Sequence, residues 1–258
     1  MFSIYNIFIL FSIYIYERAD NLSITDNEEN IHNGHRQRLK NRFLNEGLEN
    51  FPDHNILELA LFYTNKRQDT NEIAHRLINK FGSFSSVCDA PIEALCDVKG
   101  VGTESAKFLK LIPELARAYE TGKTKNILCI DTPEKAIKYF TPRFIGKTNE
   151  VLMIAYLDGQ GALLNCRTIA EGGEDTVVMD INKIIIEALG IHARGIILAH
   201  NHPQGFCSPS VQDIKMTDNL AKLLKEVKIS LCDHLIFNKD DVCRMSQYAA
   251  SVRDYYVF

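Results

Sequence analysis

The sequence predicts an α/β domain, with a mixed sheet and flanking helices, preceded by a small all-α domain. Two contrasting patterns along the 258 residues lead to this prediction. From Gly34 to about Lys123, apolar residues recur at helical spacing and the loops between them are short. Beyond Lys123, short apolar runs typical of strands alternate with amphipathic segments typical of helices, which is the pattern of a layered α/β structure. We assign residues 32–122 to the helical domain and residues 128–258 to the α/β domain.

Helices of the first domain are predicted from their end signals as well as from periodicity. A helix is expected in "HRQRLKNRFLNEGL", and Gly47 is its stop signal. Amphipathic helices follow in "NILELALFYT" and in "TNEIAHRLINKFG", the second starting at a Thr70/Asn71 cap and ending at Gly82. The segments "APIEALCDVKGVG" and "TESAKFLKLIPELARAYE" extend this run of helices.

The second domain is predicted to alternate between strands and helices. Two strands joined around Asp158-Gly159 are expected in "NEVLMIAYLDGQGALLNCRTIAEGG", because this dipeptide is a hairpin signal. A helix in "DINKIIIEALGIHA" precedes a nearly all-apolar run, "RGIILAH", of the kind formed by a buried strand. Another helix is expected in "SPSVQDIKMTDNLAKLLKEVK" and another strand in "ISLCDHLIFN".

The N-terminus stands apart from both domains. Residues 1–16 are apolar and aromatic, without the cationic start and small-residue end of a secretory signal, and they are short for a transmembrane helix, which needs roughly 20 residues. Three interpretations stay open: an extension from an upstream start codon, a membrane-associating segment, or an element packed on the body. Residues 19–31 are polar and acidic and are predicted to form a linker.

Composition limits the classes of function. A net charge of −4 and a pI near 6.1 argue against a nucleic-acid-binding surface over the whole molecule. Seven cysteines, odd in number and without a CxxC pair, indicate reduced thiols and a cytoplasmic protein. The sequence contains no glycine loop for a nucleotide and no nucleophile elbow, so no nucleotide cofactor is expected.

The segment "LAHNHPQGFCSPSVQD" carries the strongest signal for chemistry. The predicted strand "RGIILAH" delivers His200 at its C-terminal end, and residues i and i+2 of extended chain face the same side. His200 and His202 therefore present both imidazoles to one point. Pro203 cannot donate a ladder hydrogen bond, so it opens the chain into a loop.

A carboxylate follows at the start of the next predicted helix. Either Ser208 precedes Pro209 at the first helical position, or Ser210 is the N-cap with Asp213 as the acid of a capping box. Both alternatives place Asp213 in the first turn, where it can return toward the histidines. Two imidazoles, one carboxylate and an open fourth position are typical of a catalytic zinc site.

These residues resemble a known family motif. The pattern of two histidines, Ser210 and Asp213 is similar to the JAMM, or MPN-type, metal motif, and "ILAHNHP-G---PS--D" with "DH" at 233–234 resembles the bacterial RadC branch. Upstream, "GHRQRLKNRF" and the "L-D-VKGVG" turn resemble the helix-hairpin-helix-like region of that branch, so the resemblance covers about residues 34–250. It implies a mixed-sheet fold similar to that of cytidine deaminases.

The resemblance also implies a function. Related enzymes are zinc-dependent hydrolases of peptide or isopeptide bonds, so Zn²⁺ is the expected cofactor and a peptide or protein the expected substrate. A glutamate on an early strand takes a proton from water in those enzymes, and the matching residue is Glu150; Glu171 and Glu174 are the alternatives. Ser210 would help to hold the oxyanion.

Some residues depart from the family pattern or leave alternatives open. Gln204 stands where RadC-type chains usually have serine, and "VVMDINKIIIEAL" lacks the usual proline-arginine pair. Both departures concern substrate contacts more than metal binding. Cys207 is an alternative soft ligand that would fill the open position in a non-catalytic scaffold. His234 is expected to support the site or the core rather than to bind metal.

DNA binding is the alternative function. The "VKGVG" turn resembles a helix-hairpin-helix turn, in which Gly100 and Gly102 would let backbone N–H groups approach a phosphate. However, residues 31–122 carry 12 basic and 12 acidic side chains and so have no net positive field. The alternative is therefore a DNA-associated repair accessory protein whose metal site is not catalytic.

Overall fold

A computed structural model describes residues 27–66, 68–172, 180–239 and 241–248. The chain divides into two compact units. The first contains the residues through Val87 together with Glu93–Ser105, and the second contains Cys88–Ile92 together with the residues from Ala106 onward. The apolar run at residues 1–16 lies outside the described residues, so its three interpretations stay open.

The first part of the chain is helical, as the sequence predicts. Its helices are α1 (Asn27–Glu46), α2 (Asp53–Leu61), α3 (Thr70–Phe81), α4 (Phe84–Asp89), α5 (Ile92–Cys96) and α6 (Thr103–Thr124). Helix α1 already begins inside the segment predicted as a linker, residues 19–31. A cluster of buried side chains ties α1 to α2 and the loop between them; its members are Leu39, Phe51, Leu59 and Phe62.

Most of the predicted helix ends agree with the structure, and one differs. Helix α1 ends before Gly47, which has φ of 71°, and α3 ends at Gly82, which has φ of 95°. Glycine adopts these positive φ values without steric cost. The N-cap of α3 is Asp69 rather than the predicted Thr70/Asn71 pair, because the Asp69 carboxylate accepts a hydrogen bond from the Asn71 backbone N–H at 2.9 Å.

Helix α6 groups with the second unit from Ala106 onward. Contacts inside that unit give the physical reason: Arg117 donates to the Ile145 carbonyl at 2.9 Å, and the close approach of Pro113 leaves no room for a Cβ at Gly146. The predicted domain ranges, residues 32–122 and 128–258, stay a prediction.

The second unit is a mixed five-stranded sheet with flanking helices, which confirms the predicted fold class. Its elements are α7 (Pro133–Phe140), a 3₁₀ turn (Thr141–Phe144), β1 (Glu150–Leu157), β2 (Leu163–Gly172), α8 (Ile181–Gly190), β3 (Gly195–Asn201), α9 (Val211–Glu226), β4 (Ser230–Phe237), β5 (Val242–Arg244) and α10 (Met245–Tyr248). The strand order is β2-β1-β3-β4-β5, and only β3 and β4 among neighbours are parallel. Helix α9 connects this parallel pair, as a crossover requires.

Apolar side chains cover both faces of the sheet. Alternate residues of β1 point to opposite faces, so Leu152, Ile154 and Tyr156 pack with α8 and α9, whereas Val151 and Ala155 pack with α7. Strand β3 is buried along its whole length, as its nearly all-apolar sequence predicts. The sheet is thus a rigid support, and the C-terminal end of β3 is fixed within it.

Membrane-spanning helices are not found among the residues that the structure describes: none combines the necessary length and apolar character.

Candidate metal centre

Strand β3 presents two histidines at its C-terminal end. His200 is the penultimate residue of the strand and is 6% exposed, whereas His202 lies one residue beyond its end. The backbone N–H of His202 donates to the Phe237 carbonyl at 2.7 Å, which holds the chain against β4 as it leaves the sheet. The Nε2 atoms of the two imidazoles lie 2.9 Å apart. The i and i+2 positions therefore converge on one point, as the sequence predicts.

The start of α9 brings the carboxylate to the same point. Ser210 is the N-cap: its hydroxyl accepts from the Asp213 N–H at 3.1 Å, and the Asp213 carboxylate accepts from the Ser210 N–H at 2.8 Å. This is the predicted capping box, and it excludes the alternative N-cap at Ser208. The carboxylate then lies 3.4 Å (Oδ1) from His200 Nε2 and 3.6 Å (Oδ2) from His202 Nε2.

The spacing of these donor atoms fits a tetrahedral zinc ion. An ion about 2.0–2.1 Å from each donor holds neighbouring donors about 3.3–3.4 Å apart in tetrahedral geometry. The two histidine nitrogens lie 2.9 Å apart, and they lie 3.4 Å and 3.6 Å from different oxygens of Asp213, so the separations are close to that value. Among the described residues, His200, His202 and Asp213 form the one group of three or more potential ligands this close together. Three ligands leave the fourth position open.

A chain of hydrogen bonds behind His200 determines which of its nitrogens faces the site. The Thr217 hydroxyl donates to the Asp213 carbonyl at 2.6 Å, so it must accept from His234 Nδ1–H at 2.7 Å. His234 Nε2 then has no proton and accepts from His200 Nδ1–H at 2.7 Å. This assignment leaves a lone pair on His200 Nε2, which a metal ligand requires. The weak sulfur acceptor of Met245 lies farther from the Thr217 hydroxyl, at 3.6 Å.

The second histidine has a comparable support. Its Nδ1 lies 3.2 Å from the Phe206 carbonyl, which can only accept, so Nδ1 carries the proton and Nε2 has a free lone pair. When His202 is neutral, both imidazoles therefore direct an unprotonated Nε2 toward the carboxylate. The two Nε2 atoms lie 2.9 Å apart, so either a metal ion or a proton on His202 Nε2 would separate their lone pairs.

The electrostatics of the three groups favour the protonation states that bind metal, with one exception. Burial lowers the pKa of His200 to about 4, so this imidazole is neutral at pH 7. Although burial opposes the effect, hydrogen bonds to the Asp213 carboxylate from protonated His202 and from Ser210 hold the pKa of Asp213 well below its usual range. The Asp213 carboxylate raises the pKa of His202, and the charge of Glu150 contributes to this rise. Protons therefore compete with a metal ion mainly at His202.

Glu150 is the first residue of β1. Leu152 of β1 pairs with His200 of β3, and Glu150 precedes Leu152 by two residues on the same face of the strand. The effect of its charge on the pKa of His202 is consistent with this position. Glu150 is exposed, and its carboxylate is not one of the three converging ligands.

The other candidate residues lie elsewhere or have other partners. The Ser210 hydroxyl proton is directed to Asp213 Oδ2 at 2.6 Å, so in this structure it orients a ligand. Glu171 pairs with Lys147 at 2.6 Å, and Glu174 lies outside the described residues. The Cys207 thiol donates to the Ile236 carbonyl at 3.1 Å, and burial raises its pKa, which keeps it a poor ligand.

The glycines of the "VKGVG" turn have a structural role. Gly100 has φ of 97°, and a Cβ there would lie 2.8 Å from Cγ1 of Ile73. Close packing of the turn on α3 therefore requires glycine whether or not a phosphate binds. A Cβ at Gly102 would meet no atom within 4 Å. Phosphate binding by this turn stays a prediction.

Thr217 is the residue of the centre that the sequence pattern did not indicate. It lies one helical turn after Asp213 on α9 and is fully buried, although threonine is not a metal ligand here. Its spacing of four residues from Asp213, on the buried face of a helix, is the signal that would have found it.

Comparisons with known proteins agree with the geometry. A family model described as "RadC-like JAB domain" matches residues 130–250. UPF0758 protein FN0909 of Fusobacterium nucleatum subsp. nucleatum is 32% identical over 219 residues, which cover 82% of this chain and 94% of that protein. UPF0758 protein SPO0054 of Ruegeria pomeroyi is 33% identical over 205 residues, covering 80% of this chain and 92% of that protein. The resemblance in the motif is therefore confirmed, and the chain belongs to the RadC family.

Proposed function

We propose that the protein is a zinc-dependent hydrolase that cleaves a peptide or isopeptide bond. The observation that carries this proposal is the convergence of His200 Nε2, His202 Nε2 and Asp213 at tetrahedral spacing, with one position open. Zinc bound in this way supplies Lewis acidity and lowers the pKa of a water molecule. A structural zinc site would instead be closed by a fourth protein ligand.

The protein's own residues would then handle the protons. Glu150 is not among the three converging groups and its charge acts on His202, so in this proposal it would accept a proton from water and return it to the leaving amine. The capping box fixes the orientation of Asp213, and the chain from Thr217 through His234 fixes that of His200. Ser210 would have to turn its hydroxyl away from Asp213 to donate to an oxyanion.

Hydrolysis by purified protein tests the proposal. Zinc-loaded wild type and Glu150→Gln would be incubated with a library of linear peptides and Lys-linked isopeptides, and the products identified by mass spectrometry. We expect cleavage by the wild type, loss on chelation, recovery with zinc, and a rate at least about 100-fold lower for Glu150→Gln, the usual contribution of a general base. The metal content of both proteins serves as the control.

Two results would contradict parts of the proposal. Unchanged cleavage after complete removal of metal would show that the reaction does not require zinc. Equal rates for Glu150→Gln and the wild type, at equal zinc content, would exclude Glu150 as the base.

A further inference from the structure

The backbone ladder between β1 and β3 stops just before the proposed base. Its last pair is Leu152 with His200, although β3 stays paired with β4 as far as Asn201. Glu150 lies two residues outside the Leu152–His200 pair, is exposed, and pairs only with Gly172 at the end of β2. The edge of β1 that faces β3 therefore has no backbone ladder at the proposed base, and fraying there would disturb the precise position that proton transfer needs.

The side chain of Asn201 replaces the missing part of the ladder. Its Oδ1 accepts from the Val151 N–H at 2.7 Å, and its Nδ2 donates to the Asn149 carbonyl at 3.0 Å. These two backbone groups lie on either side of Glu150 in the chain. Asn201 is 4% exposed, so water does not compete strongly for either bond.

Asparagine suits this task because its amide offers one acceptor and two donor hydrogens in a plane, as a backbone peptide does. Aspartate would lack the donor and a hydrophobic residue would lack both groups. Asn201 also lies between His200 and His202, so one residue connects the strand of the base to the strand of two ligands.

We propose that Asn201 is a positioning residue that holds Glu150 at a fixed distance from the metal centre; this inference rests on the proposed function. Asn201 acts through the backbone on both sides of Glu150, and these two side-chain hydrogen bonds involve none of the three candidate ligands. Loss of its amide is therefore expected to disturb the base and to leave the metal bound.

The experiment is a double-mutant cycle of Asn201→Ala and Glu150→Gln, with zinc content measured for each protein. We expect Asn201→Ala to keep its zinc and to lower kcat about 10- to 100-fold with little change in KM, the effect of misplacing a reacting group. In the Glu150→Gln background the same change should alter kcat less than 2-fold. Equal kcat for Asn201→Ala and wild type, or full additivity in the double variant, would overturn the proposal.

A spectroscopic readout separates this inference from the proposed function. Cobalt(II) replaces zinc, and the visible absorption of each variant is followed from pH 5 to pH 9. Loss of the carboxylate in Glu150→Gln should shift the pH at which the visible absorption changes halfway. Asn201→Ala should shift this midpoint in the same direction, and the double variant should have the same midpoint as Glu150→Gln. Absence of hydrolysis by the wild type would count against the proposed function alone, whereas an unshifted midpoint in Asn201→Ala would count against the role of Asn201.

Should Asn201→Ala fail to fold, Asn201→Gln replaces it, because this variant keeps the amide and displaces it by one methylene. We expect reduced kcat and retained zinc for Asn201→Gln, again only when Glu150 is present. Wild-type kcat in Asn201→Gln would overturn the requirement for precise placement.

Discussion

The hydrogen-bond chain behind His200 makes a specific prediction for Thr217. Replacing Thr217 with valine removes the hydroxyl and keeps the shape of a side chain that is fully buried. His234 Nδ1–H then loses its acceptor at 2.7 Å, while the methyl groups still fill the space. The side chains of the three candidate ligands are unchanged, although the Asp213 carbonyl also loses the hydroxyl that donates to it at 2.6 Å. Any change in zinc affinity would therefore come from the support of these residues.

Two responses are open to His234, and both weaken zinc binding. It can keep its proton on Nδ1, where an unsatisfied buried donor costs about 1–3 kcal/mol. Alternatively it can move the proton to Nε2 and donate to His200 Nδ1, which shifts the proton of His200 to Nε2, the atom facing the site. Loss of such a supporting partner typically lowers metal affinity about 10- to 100-fold, or about 1.4–2.7 kcal/mol.

The matched control is Thr217→Ser, which keeps the hydroxyl and loses one buried methyl group. Its free energy of unfolding should fall by about 1 kcal/mol, while its zinc affinity should stay within 3-fold of the wild type. Zinc Kd would be measured by competition with a chromophoric chelator at pH 7.5, and stability by urea unfolding of the metal-free proteins. Equal Kd values for Thr217→Val and Thr217→Ser would refute the assignment of protons along the chain.

Three further predictions concern stability. Because burial lowers the pKa of His200 to about 4, this histidine is protonated in the unfolded chain before it is protonated in the folded protein as pH falls below 6.5. The free energy of unfolding of the metal-free protein, measured by urea titration, should therefore fall by about 3 kcal/mol between pH 6.5 and 4. The decrease should be smaller in His200→Gln. Arg244→Met removes the cationic partner, 2.7 Å away, of the fully buried Asp233 carboxylate and should lower the free energy of unfolding by about 3–5 kcal/mol. Adding Asp233→Asn should restore part of this loss, and no recovery would contradict the pairing. Gly100→Ala should lower the midpoint of thermal unfolding by several degrees, because its Cβ would collide with Ile73, whereas Gly102→Ala should not. Equal effects of the two substitutions would disprove this steric explanation for Gly100.

Strong local signals explain which elements could be predicted from the sequence. Strand β3 is a continuous apolar run, and β1 and β2 are joined by a turn in which the Asp158 carboxylate accepts from the Gln160 and Ala162 N–H groups at 2.8 Å each. The strand β5 was not predicted because it has only three residues and forms by pairing with β4. Helix α7 was also missed, although Thr132 and Pro133 form an ordinary start signal.

The convergence of the three candidate ligands could be predicted from the sequence because it depends on local structure. His200 and His202 are two residues apart at a strand end, and Asp213 is held by the capping box of the helix that follows. The residues that hold these side chains in place were harder to predict from the sequence, because Thr217 contacts His234 only when α9 packs on β4. That contact joins residues far apart in sequence, so no short motif encodes it.

A crystal structure of zinc-soaked protein, with anomalous data collected on both sides of the zinc edge, tests the central claim most directly. We expect one strong anomalous peak within about 2.0–2.2 Å of His200 Nε2, His202 Nε2 and one Asp213 oxygen, with water in the fourth position within hydrogen-bonding distance of Glu150. A peak bound instead by Cys207 in that fourth position, or no peak among the three residues, would contradict it.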